Sequence, residues 1–191
     1  WEQMTGSDYF KGRYKGIGVE YSDVHLENEE IEKDDEGKKQ KRYETVFKGQ
    51  WLVCDFGKEL AATVRLFERS CKVGVSRSYD ASKSSIETEN MEFNKKYRIE
   101  SGDGHSVFYL LTPHFIERLM AADEKAGTNT FFCFQDGKVH IALYSGRNFF
   151  ELGRAKAGDL EGVRRKFRGE ARYIADFIDV LLENDTLYKE A

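Results

Sequence analysis

Histidine and acidic side chains are the first candidates for chemistry in this chain, because they serve as general acids, general bases and metal ligands. The four histidines are His25, His105, His114 and His140. No two of them stand four residues apart, and the zinc-binding pattern HExxH is absent. His114 and Glu117 have a spacing that can support metal ligands on one helix face. Since any capped helix with a surface glutamate has the same spacing, the sequence predicts no metal and no cofactor.

A catalytic site could also be assembled from residues that are distant in the sequence. The candidates for such a site are Asp23, His25, His114 and His140. No local pattern connects these residues to a nucleophile or to each other. An enzyme with a site of this kind is therefore an alternative interpretation, and no catalytic residue is assigned.

Nucleophiles and phosphate-binding loops give no stronger signal. The nucleophile-elbow pattern GxSxG is absent. Cys71 stands beside basic residues that could lower the pKa of its thiol, whereas Cys54 and Cys133 lie in apolar runs typical of buried cysteines. The glycine-rich stretches 16–18 and 101–105 are both predicted to be turns that precede strands. A phosphate cradle requires a following helix, so neither stretch indicates one.

A cluster of basic residues toward the C-terminus is the strongest charge pattern. Its members are Arg154, Lys156, Arg164, Arg165, Lys166, Arg168 and Arg172. Because the net charge of the chain is -4, a solvated face paired with Asp159, Glu161 and Glu170 is the favoured interpretation. Contact with an anionic membrane surface is the second interpretation. Nucleic-acid binding, with Phe167 and Tyr173 interleaved among the charges, is the third.

Length and composition predict one domain over residues 1–191, with a basic helical region near 154–184. The 40% hydrophobic content supplies a core, and the 34% charged content indicates a heavily charged surface. Three cysteines without paired spacing suit a reducing compartment. No apolar run is long enough to span a membrane, so this fragment is expected to be soluble. Because the chain starts at Trp1 and not at Met, we expect an upstream segment.

Two main helices are predicted, at about 113–126 and 170–184. Thr112 can cap the first helix, Pro113 suits its first position, and Gly127 can end it in a left-handed conformation. The second helix is predicted from apolar residues at helical spacing. Gly169 makes its continuation toward residue 164 less favourable.

The remaining pattern is that of strands joined by hairpins. The strand-rich segments are 9–26, 43–56, 63–67, 97–111 and 131–144. Asp136-Gly137 is typical of a hairpin turn, and Gly49 indicates a bulge. The charge run near residues 27–42 is predicted to be a mobile loop or hairpin tip. Since strands and helices do not alternate, we predict an α+β fold with a curved antiparallel sheet or partial β-barrel, packed by the two helices.

Several of these segments together resemble a bacterial family catalogued as domain of unknown function 3137. The likeness is carried by the runs YFKG at residue 9, YSDVH at residue 21, VFKGQWLVCDF at residue 46, YLLTPHFIERL at residue 109, DGKVHIA at residue 136 and FFE at residue 149. It extends from about Tyr9 to about Glu183. The resemblance implies membrane-spanning segments upstream of this domain, no established activity, and no catalytic or ligand residues.

The sequence and the resemblance together predict a binding or scaffold module of a membrane-anchored protein. If an upstream anchor exists, we expect the domain to lie on the cytoplasmic side of the bacterial membrane. The predicted partners are an unknown protein or an anionic membrane surface, contacted by the basic cluster. Nucleic acid is a less favoured partner because the chain is acidic overall.

Overall fold

The computed structural model describes residues 2–33, 39–57, 62–71, 86–151 and 159–182. The strands within these ranges are β1 (Gln3–Tyr14), β2 (Ile17–Lys33), β3 (Lys39–Asp55), β4 (Val64–Glu68), β5 (Tyr97–Ser101), β6 (Asn129–Gln135) and β7 (Lys138–Tyr144). The helices are α1 (Met91–Lys96), α2 (Gly104–Leu110), α3 (Pro113–Ala126) and α4 (Leu160–Leu182).

The described strands form one antiparallel sheet in the order β1-β2-β3-β7-β6-β4-β5. Chain neighbours β1 and β2, β2 and β3, and β6 and β7 pair directly. The sheet does not close on itself, since β1 and β5 stand at its two ends. The predicted α+β fold with an antiparallel sheet packed by helices is therefore confirmed, and the sheet is open.

Cross-strand register places the main core on one face of this sheet. One row of paired residues runs from Tyr21 through Leu52, Ile141, Phe132 and Leu66 to Ile99. Every member of that row is buried. The next row toward the β6–β7 turn is likewise apolar on five strands, as the period of a half-buried sheet requires, with Val19, Cys54, Val139, Phe134 and Val64.

Helices α3 and α4 cover this face. Phe115, Ile116 and Leu119 of α3 are buried in the same cluster as the sheet residues, and the Phe115 ring lies 6.2 Å from that of Phe134. Helix α4 adds Ile174 and Phe177, among others, to the cluster. Burial of such side chains contributes about 1.5–3 kcal/mol each, so the two apolar faces hold both helices against the sheet.

The boundaries of α3 agree with the prediction. The Thr112 hydroxyl accepts the Phe115 N–H at 3.3 Å, and Pro113 is the first helical residue. Gly127 ends the helix with φ of 62°, in the left-handed region. The predicted 131–144 hairpin is also confirmed, with Asp136 and Gly137 at the turn.

The prediction of a second strand within residues 97–111 is wrong. Residues Tyr97–Ser101 form β5, but Gly104–Leu110 form α2. The Asp103 carboxylate accepts the N–H groups of His105 and Ser106, so residues 101–103 cap a helix and do not turn a hairpin. A side-chain cap of this kind supplies partners to N–H groups that the first helical turn leaves unsatisfied.

The C-terminal helix is longer than predicted. It begins at Leu160 and passes through Gly169 without a break, so the basic residues from Arg164 onward belong to it. The expected extension to residue 184 lies outside the described residues. Glycine at position 169 destabilises the helix because its helix propensity is low. Packing of the Phe167 ring on the Phe150 ring, at 5.7 Å between centroids, offsets this cost.

The charge run at residues 27–42 is mostly sheet. The loop alternative is therefore wrong for residues 27–33 and 39–42, which form the paired arms of an antiparallel hairpin, the other alternative. Strands β2 and β3 pair as far as Lys33 and Lys39, and only residues 34–38 lie outside the described ranges. Oppositely charged side chains face each other across the two strands, as in the ion pairs Lys41–Glu29 at 2.9 Å and Arg42–Glu32 at 3.2 Å. These cross-strand pairs stabilise a two-stranded extension, which we call the β2–β3 ribbon (residues 27–33 and 39–45).

The bulge predicted at Gly49 lies elsewhere. The β2–β3 register shifts between Leu26 and Glu27, which pair with Phe47 and Thr45. Gly49 has a different role, because a Cβ there would stand 1.9 Å from the carbonyl oxygen of Leu143. The glycine allows β3 and the end of β7 to approach closely.

Candidate functional site

The candidate catalytic residue Asp23 is a buried structural group. Its carboxylate is 1% exposed and accepts hydrogen bonds from the Tyr21 hydroxyl at 2.9 Å, the Gln50 amide at 3.0 Å and the Phe149 N–H at 2.7 Å. Burial raises the pKa of this carboxyl, and the three hydrogen bonds oppose that shift. Because Gln50 also donates to the Arg147 carbonyl at 2.6 Å, the network fastens the segment after β7 to the sheet.

The three candidate histidines lie apart from one another. His25 contacts the Thr45 hydroxyl at 2.9 Å, and His140 packs its ring against Trp51 on the sheet face away from the helices. His114 is exposed on α3. No hydrogen bond or ion pair joins these residues to each other or to Asp23 within the described chain.

The cysteines also show no grouped chemistry. Cys54 is fully buried, which raises the pKa of its thiol to about 12, and no disulfide joins the three cysteines. Cys71 and Cys133 are half-buried, so Cys71 is less exposed than expected and Cys133 less buried. In the described part of the chain, no three His, Cys, Asp or Glu side chains are arranged as a metal site requires.

Some cations of the basic cluster form ion pairs with acidic side chains, and others do not. Arg164 pairs with Glu161 at 2.6 Å, and Lys166 pairs with Glu170 at 3.5 Å and donates to the Glu151 carbonyl. The interpretation of a solvated, paired face is therefore correct for these two cations. The third expected acid, Asp159, accepts the N–H of Gly162 at 2.8 Å at the start of α4. Arg154 and Lys156 lie outside the described residues.

Three arginines of α4 carry exposed, uncompensated charge. Arg165, Arg168 and Arg172 are exposed, and none has an ion-pair partner within the described residues. At 3.6 residues per turn they project within about 60° of each other and span about 10 Å along the helix axis. We call these three residues the arginine face.

The arginine face is directed away from the core because the opposite side of α4 is apolar. Ile174, Phe177 and Ile178 are buried against the sheet and α3, which fixes the rotation of the helix. The acidic residues toward the helix end are engaged elsewhere. Asp176 pairs with Lys125, and Asp179 pairs with Lys15 at 2.7 Å. These two carboxylates therefore do not neutralise the arginines, which lie about one to four turns earlier on the helix.

Arg147 is a further cation that the sequence did not single out. It lies on segment 145–151, which follows β7, and its guanidinium stacks over the Phe149 ring at 5.4 Å. The segment is placed beside α4 by two contacts of its own backbone. The Phe149 N–H donates to Asp23, and the Phe150 N–H donates to Glu170 at 2.8 Å. Both contacts join residues distant in sequence, so no local pattern could have predicted them.

Helices of spanning length and apolarity are absent from the described residues. No curated protein and no solved structure was found that matches the chain. The family model described as "Protein of unknown function (DUF3137)" matches residues 45–182, a narrower range than the predicted likeness, since β1 and β2 precede it. The matched range covers β4 to β7, most of β3 and all four helices of the described chain. The chain therefore belongs to the DUF3137 family of proteins of unknown function.

Proposed function

We propose that this domain is a binding module of a membrane-anchored bacterial protein and that it rests its arginine face on the anionic cytoplasmic surface of that membrane. The observation that carries the proposal is the set of exposed arginines without acidic partners, Arg165, Arg168 and Arg172, on one side of α4. A basic residue near an anionic bilayer surface contributes about 1 kcal/mol. The three together supply about 3 kcal/mol.

The acidic character of the whole chain makes the orientation of this contact specific. With a net charge of -4, the chain as a whole is weakly repelled by anionic lipid. Attraction at physiological salt reaches only about 8 Å, so the arginines act where they touch the surface and not at a distance. A local basic face on an acidic protein therefore favours one way of resting on the membrane.

Two aromatic side chains argue against nucleic acid as the partner. Phe167 and Tyr173 are interleaved with the arginines in the sequence, and single-stranded nucleic acids are bound through stacking on such rings. The Phe167 ring packs on Phe150, and the Tyr173 ring packs on Phe149 and Phe177 at 5.8 and 5.4 Å. Because both rings are engaged within the protein, the arginine face offers charge without a stacking platform.

Vesicle sedimentation tests the proposal. The expected result is that the domain sediments with vesicles of phosphatidylglycerol and phosphatidylcholine, and not with phosphatidylcholine alone. Replacing the arginine face by Arg165→Gln, Arg168→Gln and Arg172→Gln removes about 3 kcal/mol, which lowers the partition coefficient about a hundredfold.

A matched control removes the same number of charges from the β2–β3 ribbon by Lys39→Gln, Lys41→Gln and Arg42→Gln. Two of these cations are already paired with glutamates, so we expect vesicle binding to change little. If both variants lost the same amount of vesicle binding, net charge alone would explain the binding. That result would contradict a specific role for α4. Absence of binding by the unaltered domain at low salt would refute the proposal.

A further inference from the structure

An open cleft lies along the flank of α4, between that helix, the α3–β6 turn and segment 145–151. Its volume is about 570 Å³, enough for a small charged ligand or a lipid headgroup. The residues that define its charge are Arg147, Arg165, Lys166 and Glu170. Arg165 is thus shared between this cleft and the arginine face.

The cleft carries a surplus of positive charge. Lys166 and Glu170 neutralise each other at 3.5 Å, and Glu170 is also fixed by the Phe150 N–H. Arg147 and Arg165 have no anionic partner within the described residues. The C-terminal end of α3 adds about half a negative charge at Gly127, which reduces this surplus of two charges without cancelling it.

Three neutral hydroxyl groups complete the lining, and each already donates to a backbone carbonyl, Tyr173 to Ala126, Thr128 to Tyr144 and Ser145 to Arg147. The Tyr173 hydroxyl borders the cleft, and burial raises its pKa to about 12, so it keeps its proton at neutral pH. The hydroxyls of Thr128 and Ser145 lie on the same wall. The Asp23 and Gln50 network holds the backbone of the segment that carries Arg147, so this wall is set before any ligand arrives.

We propose that this cleft binds a phosphate monoester. Two guanidinium groups can each offer paired N–H donors to the phosphate oxygens, and the dianionic charge is opposite in sign to the surplus that Arg147 and Arg165 carry. The shared chemistry belongs to a lipid headgroup such as that of phosphatidic acid and to a soluble ester such as glycerol 3-phosphate. The lipid case rests on the proposed function, because it requires the domain to lie on the membrane.

Titration with glycerol 3-phosphate, followed by amide resonances, tests the soluble case. We expect saturable shifts confined to the cleft, at Gly127, Thr128, Ser145 and Gly169. Arg147→Gln removes one charge-assisted contact and should weaken binding about tenfold or more. Arg147 is exposed and its side chain only stacks on Phe149, so the variant is expected to fold.

Arg13→Gln is the matched control, since it removes one exposed arginine on β1 away from the cleft. It should leave the titration unchanged. The variant Arg168→Gln with Arg172→Gln should also bind glycerol 3-phosphate normally while losing vesicle binding. That difference separates a failure of the cleft from a failure of the proposed membrane contact.

Vesicles containing phosphatidic acid test the lipid case against phosphatidylglycerol vesicles of equal surface charge. A preference for phosphatidic acid that Arg147→Gln abolishes supports the cleft as a headgroup site, even if the soluble ester binds weakly. The proposal is overturned if glycerol 3-phosphate gives no saturable shifts and the vesicles show no such preference. It is also overturned if Arg147→Gln and Arg13→Gln behave alike in both experiments.

Discussion

The close approach of β3 to the end of β7 makes Gly49→Ala the most informative change to the framework of the site. The alanine Cβ would stand 1.9 Å from the Leu143 carbonyl oxygen and 2.9 Å from the Ser145 nitrogen. Both neighbours are backbone atoms, so no side-chain rotation can relieve the overlap. The two strands must move apart at the point where the chain leaves the sheet for segment 145–151.

The expected magnitude follows from these contacts. Overpacking costs about 1–3 kcal/mol, and a backbone overlap of more than about 1 Å belongs at the upper end of that range. For a domain of about 150–250 residues, 1 kcal/mol corresponds to about 2–4 °C in Tm. We therefore expect Gly49→Ala to lower Tm by about 6–12 °C. The shift would also displace Arg147 and weaken phosphate binding at the cleft.

Thermal unfolding followed by circular dichroism provides the measurement, and Gly12→Ala provides the control. Gly12 lies in β1 of the same sheet, and a Cβ there meets no atom within 4 Å. The same substitution should leave Tm unchanged or raise it slightly, because alanine reduces the entropy of the unfolded chain. If Gly49→Ala and Gly12→Ala melt at the same temperature, the close approach of β3 and β7 is wrong.

Two further changes test the buried Asp23 network and the sheet face that carries His140. Asp23→Ala leaves three buried donors without their acceptor, the Phe149 N–H among them, and should cost about 3 kcal/mol or more in urea unfolding. Asp23→Asn, which keeps one accepting oxygen, should cost less; equal losses would contradict the network. Burial, and then the charge of Lys138, lowers the pKa of His140, so the unfolded chain takes up its proton first as the pH falls. Stability should therefore decrease from about pH 7 toward about pH 5, and His140→Gln should lack that part of the decrease; an unchanged pH profile would count against the burial of the imidazole.

The elements that the sequence predicts correctly are those determined by neighbouring residues. Helix α3 has its cap at Thr112, its proline at Pro113 and its terminating glycine at Gly127, all within one stretch of chain. The β6–β7 hairpin has its turn residues between two apolar strands. In each case the local interactions and the tertiary packing favour the same structure, so the pattern is sufficient.

The elements that the sequence misses are those where local composition favours one structure, and a side-chain cap or tertiary packing stabilises another. The apolar run at residues 107–111 has the composition of a strand, but the Asp103 carboxylate caps a helix at its start. In α4, glycine at position 169 weakens the helix locally, while packing against the sheet keeps it continuous. Tertiary contacts outweigh propensity here, because one buried aromatic side chain contributes more than the roughly 1 kcal/mol that glycine loses.

The candidate site was predictable only in outline. The sequence indicates a basic cluster and its local acids, but it cannot indicate which acids of the helix are engaged by distant parts of the chain. Arg164 and Lys166 find acids one turn away on their own helix, whereas Asp176 and Asp179 find partners on α3 and near the β1–β2 turn. The arginine face exists because those acids are engaged elsewhere, which is a property of the folded chain.

The most direct test of the account is to determine which surface of the domain meets an anionic bilayer. Amide resonances of the domain can be recorded on nanodiscs of phosphatidylglycerol and phosphatidylcholine that contain a gadolinium-chelating lipid. The account predicts that paramagnetic broadening is strongest at Arg165, Arg168 and Arg172 and weak along the β2–β3 ribbon. Broadening that is strongest on the ribbon, or uniform over the domain, would contradict the arginine face as the membrane contact.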